Sequence, residues 1–475
     1  MKSVTRSPGL LALAAVLAAS VLPGAACGSG SRGPNVVLIV VDSLRADGLG
    51  CYGSSPSVSP AIDRLCAEGV RFDRAIASAS WNLPSVSSLV TSTPPWVHGQ
   101  GAPAAGTGEI VTLAEEFADA GYRTGAFAEV AWPLLQRGFG TFQNTAFGHT
   151  YGAPDANSAA KTLGAALDWV REDDSEPFFL LVHTYEVHSY FLGKPRHHEF
   201  AGKEQPGYDG PFRDWAVRDL TQPAGPQVIK ALLQADEDDL AYVRSLYRGA
   251  VAEVDAEIGR FMTGLDEEGL GDRTILVLTS SNGEGFRPDL KRVHHGGRLH
   301  DDLLHVPLIV RWPGHLEPVV DSSLVSTLDV GPTLLTLTGL PGEPRFAGRT
   351  LVTRETSILP SFGGPRFRVP KRPKRPVVAE EAAFRTLPSG ERESATTPQL
   401  ALYSDWVVLI DTGDDAELYD LKDDPEQEKD LSADYADGVE RLRKRVHRIA
   451  EQAGSGITAP DAEQMEQLRS LGYVQ

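Results

Sequence analysis

The chain has 475 residues, 41% hydrophobic and 23% charged. That is the make-up of an ordinary globular protein, long enough for a large core and more than one layer of structure. The formal net charge of −19 excludes a general nucleic-acid binder, which needs a basic face for phosphates. It leaves room for an anionic ligand held in a local cationic pocket.

The N-terminus reads as a targeting segment. Lys2 and Arg6 precede an apolar stretch from Leu10 to Leu22, and Gly24-Ala25-Ala26 supplies small residues for cleavage. Cys27 follows, then a Gly/Ser stretch. The pattern is similar to a bacterial lipoprotein signal, which implies a lipidated Cys27; a plain secretory signal is the alternative. Residues 1–26 are therefore expected to be a signal peptide and 27–33 a linker. No 18-residue apolar span follows, so an exported protein is expected, in the periplasm or at the cell surface, touching the membrane only through a lipid at Cys27. Cys51 and Cys66 remain. Cys66 lies on a short helical pattern that suits small buried residues, so inert core thiols are expected rather than a disulfide.

Asn35 to Val41 is a continuous apolar, β-branched run, the pattern of a strand buried on both faces of a parallel sheet. Asp42 then falls at its carboxyl end, where open α/β sheets place ligands. Ala61 to Gly69 and Pro84 to Thr91 read as helices, Leu113 to Ala120 as a third, and Gly121 to Ala128 as a strand. Phe178 to Val182 is a buried strand leading to Glu186-Val187-His188. Ser189 to Ala235 is rich in Gly, Pro and charge and reads as a long surface excursion. Apolar residues at spacings of three and four predict an amphipathic helix over 239–265. Thr274 to Leu278 is a strand running into Thr279-Ser280-Ser281-Asn282-Gly283-Glu284, and Val306 to Val310 is another. A helix begins at Asp329. Pro360 to Pro376 holds six cations and no acid. A solvated, Pro-stiffened linker is expected there, with an anion-binding loop as the alternative. Leu400 to Ile410 reads as strands, Glu417 to Leu421 as a turn, and Tyr435 to Glu451 as a helix. The alternation predicts a doubly wound α/β domain at 34–352, a basic linker at 353–378 and a small α+β subdomain at 379–475.

The stretch Ser80-Trp81-Asn82-Leu83-Pro84-Ser85, with Asp42-Ser43-Leu44-Arg45, resembles the active-site half of the sulfatase family, within the alkaline-phosphatase superfamily. LGCYG, PAIDRL, GYRTGAF, DVGPTLL, ELYDL and LRSLGYV extend the resemblance over nearly the whole mature chain. It implies an alkaline-phosphatase-like α/β fold with helices on both faces of a mixed sheet. It also implies hydrolysis of sulfate or phosphate esters, with a divalent metal and a nucleophile. The nucleophile position, a Cys or Ser converted to formylglycine or a Thr in relatives reading WTLPS, is Asn82. An amide is not a nucleophile. The implied metal positions are Asp42, Ser43, Asn82, Ser281 and Asn282. Ser281 stands where a TSDNG-type motif has Asp, and Ser43 replaces a further carboxylate.

One formal charge, Asp42, remains in that set, so no metal or a weakly held calcium or magnesium is expected. His188 and His295 match the family's site histidines. Val86 replaces the Arg of C-x-P-x-R, and the sulfate-clamping Lys and His fall near Glu129 and Ala131. A degenerate protein that keeps the cleft for binding, or as a scaffold, is therefore expected. Its partner would be an anionic ester or a sulfated or phosphorylated glycan or lipid. The alternatives are an active ester hydrolase or transferase with Ser80 or Ser85 as nucleophile, and a purely structural envelope protein.

Overall fold

The computed structural model describes residues 33–100, 110–146, 158–173, 175–217, 224–355, 364–381, 384–386, 392–394 and 398–452. The signal segment and Cys27 lie outside them.

Eleven strands arise in chain order before the C-terminal region. They are β1 (Asn35–Val41), β2 (Val70–Ile76), β3 (Arg123–Ala128), β4 (Thr141–Asn144), β5 (Phe178–Thr184), β6 (Thr274–Ser280), β7 (Phe286–Arg287), β8 (Arg292–Val293), β9 (His305–Val306), β10 (Leu308–Arg311) and β11 (Val319–Ser326). Nine form one mixed sheet, in the order β11-β2-β10-β6-β1-β5-β3-β4, with β9 paired to β2. β7 and β8 make a separate hairpin. β1 lies in the middle, parallel to β5 on one side and β6 on the other. Its side chains alternate as the pleat requires. Val36, Leu38 and Val40 enter one core, while Val37, Ile39 and Val41 enter the other. All six are fully buried, at roughly 1.5–3 kcal/mol each. This is why Val36 to Val41 carries no polar residue.

The 31-residue helix Glu237–Glu267 extends two residues beyond the expected span at each end. Asp236 caps it, with Asp239 closing the capping box. Tyr242, Val243, Leu246, Val254, Ile258 and Phe261 join the same core as Val37 and Ile39.

Several expectations are corrected. Cys51 and Cys66 form a disulfide. The turn Gly50–Tyr52 packs on the helix Pro60–Glu68 and brings their Cα atoms to 6.4 Å, a spacing that a bridge spans. The surface excursion holds two helices, Pro195–Glu204 and Ala224–Leu232. The first packs on the long helix, which gives its apolar residues a partner that the local sequence does not show. Of the expected turn only Leu421 is one; Glu417 to Asp420 belong to a strand, Ala416–Asp420. It closes a four-stranded antiparallel sheet with Val377–Glu381, Gln399–Ser404 and Val407–Asp411. Val439, Val446 and Ala450 of the helix Ala436–Gln452 cover that sheet. The basic stretch is no free linker. Arg372 pairs with Asp321 at 2.9 Å, Lys374 with Asp405 at 2.5 Å, and Arg375 with the buried Asp329.

Candidate functional site

Strand register assembles the site. Val41 of β1 lies beside Thr184 of β5 and Ser280 of β6. The next residues, Asp42, Tyr185 and Ser281, therefore leave the sheet at one end, side by side. Asp42 N–H donates to Thr184 O at 2.9 Å and fixes this exit. Ser43 turns at once into the left-handed region, with φ 60°. Asn82 is the first residue of the helix Asn82–Thr91, so a helix N-terminus abuts the sheet end, where its dipole favours negative charge.

The Asp42 carboxylate is completely buried, and protein donors surround it. Ser281 Oγ donates to Oδ1. Asn82 Nδ2 donates to Oδ2 at 3.0 Å and also to the Tyr185 hydroxyl at 2.9 Å. The other end of that amide, Oδ1, accepts from Leu83 N–H at 3.0 Å. The amide is thus turned with its NH2 toward Asp42. His183 Nε2 stands 3.5 Å from Asp42 Oδ1, at the outer limit of hydrogen bonding. Burial by itself pushes the Asp42 carboxyl up. The contact with His183, the charges of His183 and His188, and the Ser281 hydrogen bond outweigh it and hold the group below its usual value.

Asn282 closes the group from the side. Its Oδ1 lies 2.8 Å from Ser281 Oγ, whose single hydrogen it can only share with Asp42, and its Nδ2 points to Ser43 Oγ at 3.4 Å. His188 sits in the turn His188–Leu192 after β5, with its ring 4.9 Å from that of Tyr185 and 4.9 Å from that of His295. Burial, and next the charge of His295, push His188 down to about 4. His295 Nδ1 is 2.9 Å from Glu284 Oε2. Asp42, Ser43, Asn82, Ser281, Asn282, His188 and His295 are thus linked, directly or through Tyr185, into one buried cluster. Glu129 lies apart from this chain of contacts: its carboxylate accepts from Thr184 Oγ1 at 2.7 Å.

The two serines considered as substitute nucleophiles differ. Ser85 Oγ donates to the Ser281 carbonyl. Ser80 Oγ donates to Glu381 Oε2 at 2.6 Å, and Gly297 N–H donates to the same oxygen at 3.1 Å.

Sequence reasoning missed His183, Tyr185, Glu284, His294 and Glu381. His183 and Tyr185 lie within five residues of His188, and His294 is next to His295, so proximity to a matched histidine was an available signal. Glu381 had none, since it reaches Ser80 from 301 positions away.

A mixed sheet that gathers polar groups beyond the carboxyl ends of its central strands, with a small antiparallel sheet packed beside it, is the alkaline-phosphatase-like architecture. Solved structures share it. One, of a protein in complex with its substrate D-glucosamine-2-N,6-O-disulfate, superposes with a TM-score of 0.70 at 19% identity, over 90% of this chain and 99% of that one. The phosphonate monoester hydrolase of Agrobacterium radiobacter gives a TM-score of 0.65 at 21% identity, over 88% and 96%. The family model described as Sulfatase matches residues 34–340, and the chain belongs to the sulfatase family. Human arylsulfatase A is 29% identical over 370 residues, covering 70% of this chain and 67% of its own. The N-acetylgalactosamine-6-O-sulfatase of Bacteroides thetaiotaomicron is 23% identical over 501 residues, covering 89% and 94%. No helix among the described residues is long and apolar enough to cross a membrane.

Proposed function

We propose that this chain is a catalytically degenerate sulfatase-family protein of the cell envelope, which uses the cleft to bind an anionic ester group on a glycan or lipid. The observation that carries this reading is the surround of Asp42. A hard divalent cation needs oxygen ligands, and its affinity rises with their charge. Here one carboxylate faces a hydroxyl donor and an amide NH2. The set carries one formal charge, and the Asn82 amide oxygen is turned away from it toward Leu83 N–H. The residues present therefore fit no calcium or magnesium, or only a weakly held ion, and no step is routed through either. Asn82 offers no attacking oxygen, since its Oδ1 is engaged by Leu83 N–H.

The activities of the relatives named above support the ligand class: arylsulfatase, amino-sugar O-sulfatase and phosphonate monoester hydrolase. The signal-like residues 1–26 and Cys27 support an exported, lipid-anchored form. The domain boundaries at 34–352, 353–378 and 379–475 belong to the same reading.

The test is metal content of the purified mature protein by elemental analysis, beside turnover of chromogenic aryl sulfates, phosphates and phosphonates. Neither calcium nor magnesium, and no turnover, is expected. Stoichiometric metal with robust turnover, both lost in Asp42→Ala, would overturn the reading. One observation favours a second reading, an active hydrolase. Ser80 has a carboxylate base within 2.6 Å, and Ser85 has none. Turnover abolished by Ser80→Ala and by Glu381→Gln would establish it.

A further inference from the structure

A second set of metal-type donors is buried beside the Asp42 cluster and shares His295 with it. Glu284, His294 and His295 are all buried, and one ligand atom from each lies within 4.8 Å of the other two. His295 Nδ1 is 2.9 Å from Glu284 Oε2, and His294 Nδ1 is 3.3 Å from Glu284 Oε1. Adjacent residues of an extended chain send their side chains to opposite sides. These two do not. The backbone at His294 is left-handed, with φ 60°, and Gly296 and Gly297 follow at 77° and 74°. The turn brings both rings to one side, with centroids 4.0 Å apart. A non-glycine residue pays on the order of 1 kcal/mol or more for that conformation, so the fold sustains this pairing of imidazoles at a cost.

The donor chemistry differs from that around Asp42. Two imidazoles and a carboxylate suit a borderline cation such as Zn2+, whereas calcium and magnesium take oxygen alone. Bonds of about 2.0–2.2 Å around a tetrahedral centre set neighbouring donors about 3.4 Å apart; the His294–Glu284 pair stands at 3.3 Å, and the 2.9 Å His295–Glu284 hydrogen bond is the contact a cation would replace. No lysine or arginine side chain pairs with the Glu284 carboxylate among the described residues; besides the two imidazoles, Gly285 N–H donates to its Oε1 at 3.2 Å. A second cluster, Glu186 with His197 and Glu253, is different: Lys194 Nζ already sits 2.5 Å from Glu186 and supplies the positive charge itself.

We propose that Glu284, His294 and His295 form a seat for one borderline divalent cation, Zn2+ in chemical class, distinct from the hard-cation positions around Asp42. The ring of His188, 4.9 Å from that of His295 and 6.3 Å from that of His294, is the neighbour placed to complete the coordination.

The experiment uses the untagged mature chain, stripped with chelator and titrated with Zn2+ and Co2+ by calorimetry and visible absorption. One equivalent of Co2+ is expected, with a Kd below about 1 μM and the d–d bands of a low-coordinate nitrogen/oxygen site. Glu284→Gln and His294→Ala should each weaken binding at least tenfold, and Asp42→Asn should not. Cobalt-edge X-ray absorption of the wild type should show at least two imidazoles, a readout that stands even where a variant fails to fold. Binding weaker than about 100 μM, a shell without imidazole, or binding lost in Asp42→Asn but kept in Glu284→Gln would overturn the proposal. Failure here leaves the degenerate reading standing, since that reading is tested by calcium, magnesium and turnover.

Discussion

Ser281→Asp puts a carboxylate where the resemblance to a TSDNG-type motif implies one, and its consequence can be worked from the geometry. In the wild type, Ser281 Oγ donates to Asp42 Oδ1, and both residues are fully buried. The change removes a hydrogen bond to a charged group, which contributes about 1.5–3 kcal/mol. It also sets a second carboxylate against the first. Two like charges about 4 Å apart, at an effective dielectric near 20, repel by about 4 kcal/mol, and the pair relieves part of this by holding one proton. In chelator at pH 7.5 the variant should therefore unfold about 3–6 kcal/mol more easily than the wild type. Calcium supplies the missing counter-charge. At a free concentration one hundred times its Kd, mass action returns about 2.7 kcal/mol. The assay is urea and thermal unfolding of both proteins, with EDTA and with a calcium series. The wild type should be insensitive to calcium, while the variant should start low and rise. A calcium-dependent rise in the wild type as large as the variant's would refute the argument, as would a variant no less stable than wild type in EDTA. Adding Asn82→Thr should tighten calcium binding further by replacing an NH2 with an oxygen ligand.

Three more outcomes are expected. Removing the Cys51–Cys66 bridge by paired Ser substitution opens a loop of 15 residues and should cost about 3 kcal/mol in urea unfolding; a neutral effect would mean the bridge adds nothing to stability. Glu380 is buried beside Glu381, and burial followed by that neighbouring charge push its carboxyl up to about 8. Because the folded pKa is raised, the folded state holds a proton that the unfolded state has lost above about pH 4.5. Stability should thus fall as pH rises from about 4.5 to 8, and Glu380→Gln should flatten that slope in unfolding curves taken across the window. Mass spectrometry of the mature N-terminus should show an acylated Cys27, and an unmodified terminus there would leave secretion without an anchor.

How much of this was legible beforehand follows the range of the forces involved. The buried run at Val36–Val41 announces a central strand, because the stretch of a strand with apolar cores on both faces has no position for a polar residue. The period of the long helix, and its acidic start at Asp236 to Asp239, are local in the same way. The chemistry at single positions is also local: an amide at Asn82 and a hydroxyl at Ser281 cannot supply a nucleophile or a charge, whatever surrounds them. The sequence thus determined the α/β class, the strand ends that carry the polar cluster and the side-chain chemistry available at Asn82 and Ser281.

Other features depend on contacts between distant segments. Cys66 reads as an ordinary helix position until the turn at Gly50–Tyr52 packs against it. The strand Ala416–Asp420 reads as a turn until a neighbour pairs with it. Only the tertiary structure decided which end of the Asn82 amide faces Asp42, because that depends on Leu83 N–H and the Tyr185 hydroxyl together. It likewise decided that His294 and His295 share one carboxylate, through a left-handed turn that no local preference calls for. It alone brought Glu381 to Ser80 across 301 residues. Composition and periodicity report which side chains are apolar and how often they recur. The direction a donor points is set by the partners around it, and those partners are assembled only when the chain folds.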